Sequence, residues 1–211
     1  MRRGRVRRSW IAGTALVLAI VWGDDARGVA PPVAEQTVDP VFVRMWDTAQ
    51  RERPSTIGSR TRVADADEPG ERLLVRMQLF DRDGRTAVAG AVFLIYQTDR
   101  DGHYDRPGRG GWRLKGWART DAEGRVEFET VRPGPYPGRT TAAHIHVGIE
   151  GVPGTRQLLP DVLFDGDPLL TTVERTRSDR AGPFANIRPV RREGGTAVVD
   201  ITYRLPGEFV F

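Results

Sequence analysis

The chain has 211 residues and a mass of 23.5 kDa, enough for one domain with a proper core plus a tail or targeting segment. It contains no cysteine, which excludes disulfides, thiolate nucleophiles, iron–sulfur clusters and cysteine-ligated zinc. Its net charge of +4 resides wholly in residues 1–30, leaving 26 basic against 26 acidic residues elsewhere, so the body offers nucleic acid no electrostatic footprint.

Five arginines among the first eight residues precede an almost wholly apolar run, Trp10–Gly23. Fourteen helical residues reach only about 21 Å, short of the roughly 30 Å of a bilayer core. A basic segment before a short apolar one reads as an export signal over residues 1–30, the alternative being an uncleaved N-terminal anchor. Arg7-Arg8 before Ser9-Trp10-Ile11 resembles a twin-arginine signal, and the expected location is periplasmic or extracellular.

Residues 31–68 are expected to supply a linker and a short helix. Pro40 suits a first helical position, and Phe42, Met45, Trp46 and Ala49 follow at i, i+3, i+4, i+7. The helix should end before Pro54, with loop over 54–70. From 69 to 211 the pattern predicts a mainly β domain, a sandwich with little further helix. Its strands are expected at Leu73–Phe80, Ala91–Gln97, Arg125–Thr130, His144–Ile149, Gln157–Phe164 and Thr196–Leu205. Ala91–Gln97 is continuously apolar, as a strand buried on both faces requires.

The chain has three histidines, His103, His144 and His146. Residues i and i+2 of a strand share a face, so the imidazoles of His144 and His146 can converge on a metal. They can equally be two polar residues on a half-exposed strand. Prolines on both sides of Tyr136 orient its phenol, or merely tighten a turn. Tyr104 follows the turn Asp101-Gly102-His103, where a packed ring is the ordinary outcome. No carboxylate stands at ligand-like spacing from the histidine pair.

Taken in order, Gly90–Gln97, Asp101–Asp105, the block Thr120–Pro137 ending in Pro-Gly-Pro-Tyr-Pro, His144-Ile145-His146-Val147 and Leu163–Pro168 resemble the intradiol ring-cleavage dioxygenases. The resemblance covers roughly residues 69–205 and is nearest to protocatechuate and catechol dioxygenases. It implies an intradiol-type β-sandwich with one short N-terminal helix. It implies Fe(3+) held by Tyr104, Tyr136, His144 and His146, a catechol-type substrate and O2, and a cis,cis-muconate-type product. Tyr136 would leave the ion and take a substrate proton, and Arg139 would assist in catalysis. An oligomer is compatible with this family, and no membrane partner is implied beyond the export signal or anchor.

Two positions depart from the family's pattern. Thr141 stands where the family has an arginine, and Asp161 or a neighbour stands where it has a glutamine facing the substrate. Tyr96, Arg109, Trp112, Trp117 and Arg139 are candidate pocket residues. The competing expectation is a non-catalytic envelope sandwich that keeps the metal site and binds a sugar or a partner.

Overall fold

Alternation of apolar and polar residues sets the longest strands in the computed structural model, which describes residues 40–105, 111–151 and 157–205. The expected export signal and the linker to residue 39 lie outside the described residues. Helix α1 spans Pro40–Arg51. Strands β1 (Arg60–Arg62), β2 (Arg72–Phe80), β3 (Val92–Gln97), β4 (Leu114–Arg119), β5 (Arg125–Val131), β6 (His144–Glu150) and β7 (Gln157–Phe164) follow. Helix α2 (Thr172–Arg180) comes next, then β8 (Ile187–Arg188), β9 (Arg191–Glu193) and β10 (Thr196–Arg204).

The strands form two five-stranded sheets, ordered β1-β5-β2-β10-β9 and β4-β3-β6-β7-β8. Between them lies the main core. Leu73, Val75, Met77 and Leu79 of β2, with Val126 and Phe128 of β5, face Phe93 and Ile95 of β3 and Ile145, Val147 and Ile149 of β6. The outer face of the first sheet is a lattice of charge, in which Arg60 and Arg62 pair with Glu129, and Arg76 pairs with Glu127 and Glu193. Such half-exposed pairs each add little stability.

The outer face of the second sheet is different. Val92, Leu94 and Tyr96 point outward there, and the apolar stripe of α1 covers them. Trp46 and Ala49 are buried against this face, with Phe42 and Met45 beside them. The expected helix is thereby present, and it explains why β3 is buried on both sides. Gly148 on β6 lacks a side chain because the Trp46 ring lies on it; a Cβ there would stand 2.2 Å from Cη2.

Five of these elements were not expected from the sequence: the short strands β8 and β9, and β1, β4 and α2. β1 falls within the stretch read as loop, and pairs in parallel with β5 through Arg60↔Glu127 and Arg62↔Glu129. β4 is interrupted by Lys115 and Gly116, so its pattern is weak; a Cβ on Gly116 would meet Val63 at 2.7 Å. α2, a further helix of nine residues, keeps to the expectation of little further helix; it has only Ser178 buried and no apolar stripe. Its start was nevertheless legible: Thr171 and Glu174 form a reciprocal capping box.

Candidate metal centre

Strand alternation places Ile145 and Val147 in the core, and His144 and His146 on the outer face beside Tyr96, which pairs in register with His146. A backbone carbonyl can only accept, so the contact of His144 Nδ1 with Ala142 O at 2.7 Å fixes the proton on Nδ1. Its Nε2 lone pair is left for the site. His146 is oriented the same way by Asp161, whose Oδ1 accepts from Nδ1 at 2.9 Å. The two Nε2 atoms stand 3.1 Å apart. Ahead of the pair, the Asp167 carboxylate accepts from Ala143 N–H and Leu169 N–H, tying the start of β6 to the loop after β7.

Two loops at one end of the sandwich bring in the phenols. The loop after β3 is wound around Asp99, whose Oδ1 accepts from Asp101 N–H and His103 N–H. The loop after β5 runs through Pro133–Pro137. The two are joined by Gly134 N–H to Asp99 O at 2.8 Å and by Thr98 Oγ1 to Gly134 O at 2.8 Å. Their backbones touch so closely that a Cβ on Gly134 would lie 2.2 Å from Arg100 O, and one on Gly102 would lie 2.1 Å from Pro135 O. Gly102 also has φ 87°, a conformation that L side chains rarely adopt. Gln97, buried at the end of β3, donates to Val131 O on the other sheet and so anchors both loops at their roots.

The result is one convergence point. Tyr104 Oη lies 2.7 Å from His146 Nε2, and Tyr136 Oη lies 3.0 Å from His144 Nε2 and 3.2 Å from His146 Nε2. The two phenol oxygens are also in direct contact. Separations of this size are those of neighbouring ligands around one ion with bonds of about 2 Å to nitrogen or oxygen. Every expected ligand is therefore at the same place, and each comes from a different turn or strand position.

Burial dominates the electrostatics of the site and favours the uncharged forms of its phenols and of His144. Burial pushes the Tyr104 phenol far above its ordinary value, with Tyr136 adding to the shift. Burial raises Tyr136 to about 12, partly offset by its hydrogen bond with Tyr104. Burial and then His146 hold His144 below the usual imidazole value, so it is neutral and ready to ligate. Burial alone would raise Asp161, but its electrostatic interaction and hydrogen bond with His146 outweigh it and leave the carboxyl lowered.

His144, His146 and Asp161 also group closely enough to suggest a histidine–carboxylate metal set. The sequence reading, which found no carboxylate near the histidines, is corrected on this point: β7 brings Asp161 from 15 positions away. Its bonded oxygen lies on the Nδ1 side of the ring, however, while the phenols and His144 lie on the Nε2 side. Asp161 thus meets His146 on the side of the ring away from the two phenols.

The candidate pocket residues divide. Tyr96 stacks on His146 with centroids 4.5 Å apart, and Trp112 stacks on Tyr96 at 3.6 Å. Trp117 packs in the cluster beneath α1. Arg139 sits exposed on the turn after Tyr136 with φ 55°, its side chain making no hydrogen bond or ion pair among the described residues. Arg109 lies outside the described residues. Thr141 is half-buried just before the histidine pair.

Several known proteins similar to this chain in sequence or fold are named as dioxygenases. The family model described as Dioxygenase matches residues 40–205. Chlorocatechol 1,2-dioxygenase of Rhodococcus opacus is 31% identical over 140 residues, 56% of this chain and 51% of that protein. The protocatechuate 3,4-dioxygenase beta chain of Burkholderia cepacia is 32% identical over 124 residues, 53% of this chain and 52% of that one. The chain spans about half the length of the curated relatives it matches. Among solved structures, the dioxygenase domain of a dioxygenase–carbohydrate-binding fusion from Streptomyces sp. SirexAA-E is similar with a TM-score of 0.54 and 26% identity, covering 72% of this chain and 90% of that chain. Catechol 1,2-dioxygenase from Pseudomonas arvilla C-1 shares the fold, with a TM-score of 0.52 at 19% identity over 78% of this chain and 66% of that one.

Proposed function

The chain belongs to the intradiol dioxygenase family, and on that premise we propose that it is a non-haem ferric enzyme that opens the ring of a catechol-type aromatic with O2. The observation that carries this reading is the meeting of Tyr104 Oη, Tyr136 Oη, His144 Nε2 and His146 Nε2 at one point. Two phenolates and two neutral imidazoles make a hard, anionic donor set suited to Fe(III). When bound, the ion supplies Lewis acidity that activates a chelated catechol toward oxygen. The bond between the two hydroxylated carbons breaks, both atoms of O2 enter the product, and a cis,cis-muconate-type diacid results.

The protein's residues have separate tasks in this scheme. His144 and His146 stay fixed, because Ala142 O and Asp161 hold their outer nitrogens. Tyr104 is held by the Asp99 loop and remains a donor. Tyr136 Oη, which would be deprotonated when it holds the ion, would accept a proton from a substrate hydroxyl, and burial raises its proton affinity above that of a free phenol. Arg139, exposed beside Tyr136 and unpaired among the described residues, is assigned to the substrate and not to the ion. The N-terminal pattern supports export, which cell fractionation of the full chain tests. Membership of an enzyme family favours catalysis over a non-catalytic binding module.

Loading the purified protein with ferric iron should give a burgundy solution with a tyrosinate-to-iron absorption band in the visible. Tyr104→Phe and His146→Ala should each lose most of that colour, and a colourless wild-type protein holding iron would sink the proposal. Oxygen uptake with catechol, protocatechuate and hydroxyquinol then identifies the substrate.

A second expectation concerns protons. Burial keeps both phenols protonated near neutrality, so ligation by both must release about two protons per ion. Apparent iron affinity should therefore rise with pH and fall toward acid. Titration of iron into weakly buffered protein, with a pH indicator, measures the release; none at all would mean that the phenols do not ligate.

A further inference from the structure

β7 carries a bulge opposite the second histidine. Ile145 pairs with Val162 and Val147 with Leu159, so His146 alone faces both Pro160 and Asp161. A bulge costs ladder hydrogen bonds and re-aims a side chain. Here the freed groups are provided for. Tyr203 Oη, buried on β10 of the other sheet, donates to Pro160 O at 3.0 Å, and Asn186 Nδ2 donates to Asp161 O at 2.8 Å. Pro160 has no N–H to leave stranded. The bulge is thus held from two sides, and its consequence is to turn the Asp161 carboxylate onto His146 Nδ1. Among the described residues His146 is the one ion-pair partner of Asp161.

We propose that Asp161 is a positioning residue for the metal site: it aims His146 Nε2 at the ion, and its charge, acting through the imidazole, favours the ferric state. This rests on the four-donor iron reading above. A carboxylate hydrogen-bonded to the outer nitrogen of a ligating histidine fixes the tautomer and makes the ring a stronger donor. An ordinary surface aspartate would do neither, and would need no bulge held by Asn186 and Tyr203.

The test uses the full-length iron-loaded protein, Asp161→Ala and the isosteric Asp161→Asn. Asp161→Ala should weaken iron binding about 10- to 100-fold in competition with a chelator. Asp161→Asn keeps an acceptor for Nδ1–H and should keep most of the iron. It should raise the Fe(III)/Fe(II) potential by about 59 mV for each tenfold loss of ferric preference, and it should move the tyrosinate band. Wild-type potential and spectrum in Asp161→Asn, or wild-type iron affinity in Asp161→Ala, overturns the proposal while leaving the four-donor site standing. A wild-type protein that binds iron without the visible band overturns both.

Discussion

Gly134→Ala and Gly102→Ala should each strip the protein of its ferric colour and lower its melting temperature by on the order of 10 °C. Both glycines sit where the two tyrosine-bearing loops touch backbone to backbone. An alanine Cβ at 134 would stand 2.2 Å from Arg100 O and 2.7 Å from its carbonyl carbon; at 102 it would stand 2.1 Å from Pro135 O. Neither neighbour is the end of a flexible side chain, so the loops must part. Overpacking of this kind costs roughly 1–3 kcal/mol. At Gly102 the left-handed backbone adds about 1–2 kcal/mol for any residue with a Cβ.

The effect on the site should exceed the effect on the fold. Tyr104 and Tyr136 reach the same point from opposite sides of this contact, and a shift near 1 Å in a reacting group can cost about 100-fold in rate. Gly58→Ala, with nothing near its Cβ and no positive φ, is the control and should change little. Thermal melts with the visible spectrum read both quantities. Full colour and a wild-type melt in both loop variants would show that the contact is slack.

The second large effect is expected at Trp46. This side chain is wholly buried, though it belongs to a helix outside both sheets. Its removal to alanine should cost about 3–5 kcal/mol, because the indole fills the space over Gly148 and beside Val92, Leu94, Tyr96 and Trp112. The cavity opens next to the stack of Trp112, Tyr96 and His146, so iron affinity should fall along with stability. A double-mutant cycle decides whether the indole and the glycine form one unit. Gly148→Ala alone should destabilise strongly, since its methyl meets the ring at 2.2 Å. In a Trp46→Ala background the same methyl should be harmless or favourable. Additive costs would refute the pairing.

Legibility in the sequence followed the range of the interactions. Helix α1 was visible because its apolar stripe repeats at helical spacing, and the main strands because theirs repeats at two. β1 escaped because Arg60 and Arg62 are held by charges on another strand and not by an apolar face of their own. α2 escaped for a related reason: it buries almost nothing, and only its capping box marked it. The pocket residues Trp112 and Trp117 were singled out for their chemistry, yet Trp117 packs under α1 and Trp112 reaches His146 only through Tyr96.

The site divides along the same line. Its donors were readable because the successive blocks that carry them, taken together, resemble one family; singly, the histidine pair and the two tyrosines each had an ordinary structural reading. The sequence by itself determined that these four groups exist and that a strand can aim two of them together. Only the tertiary structure decided that they meet. That required Gly102 and Gly134 to let two loops touch, α1 to cover the second sheet, and a bulge in β7 to bring Asp161 onto His146. Those contacts join residues far apart in the chain, and their strength depends on shape and distance, which no run of neighbouring residues encodes.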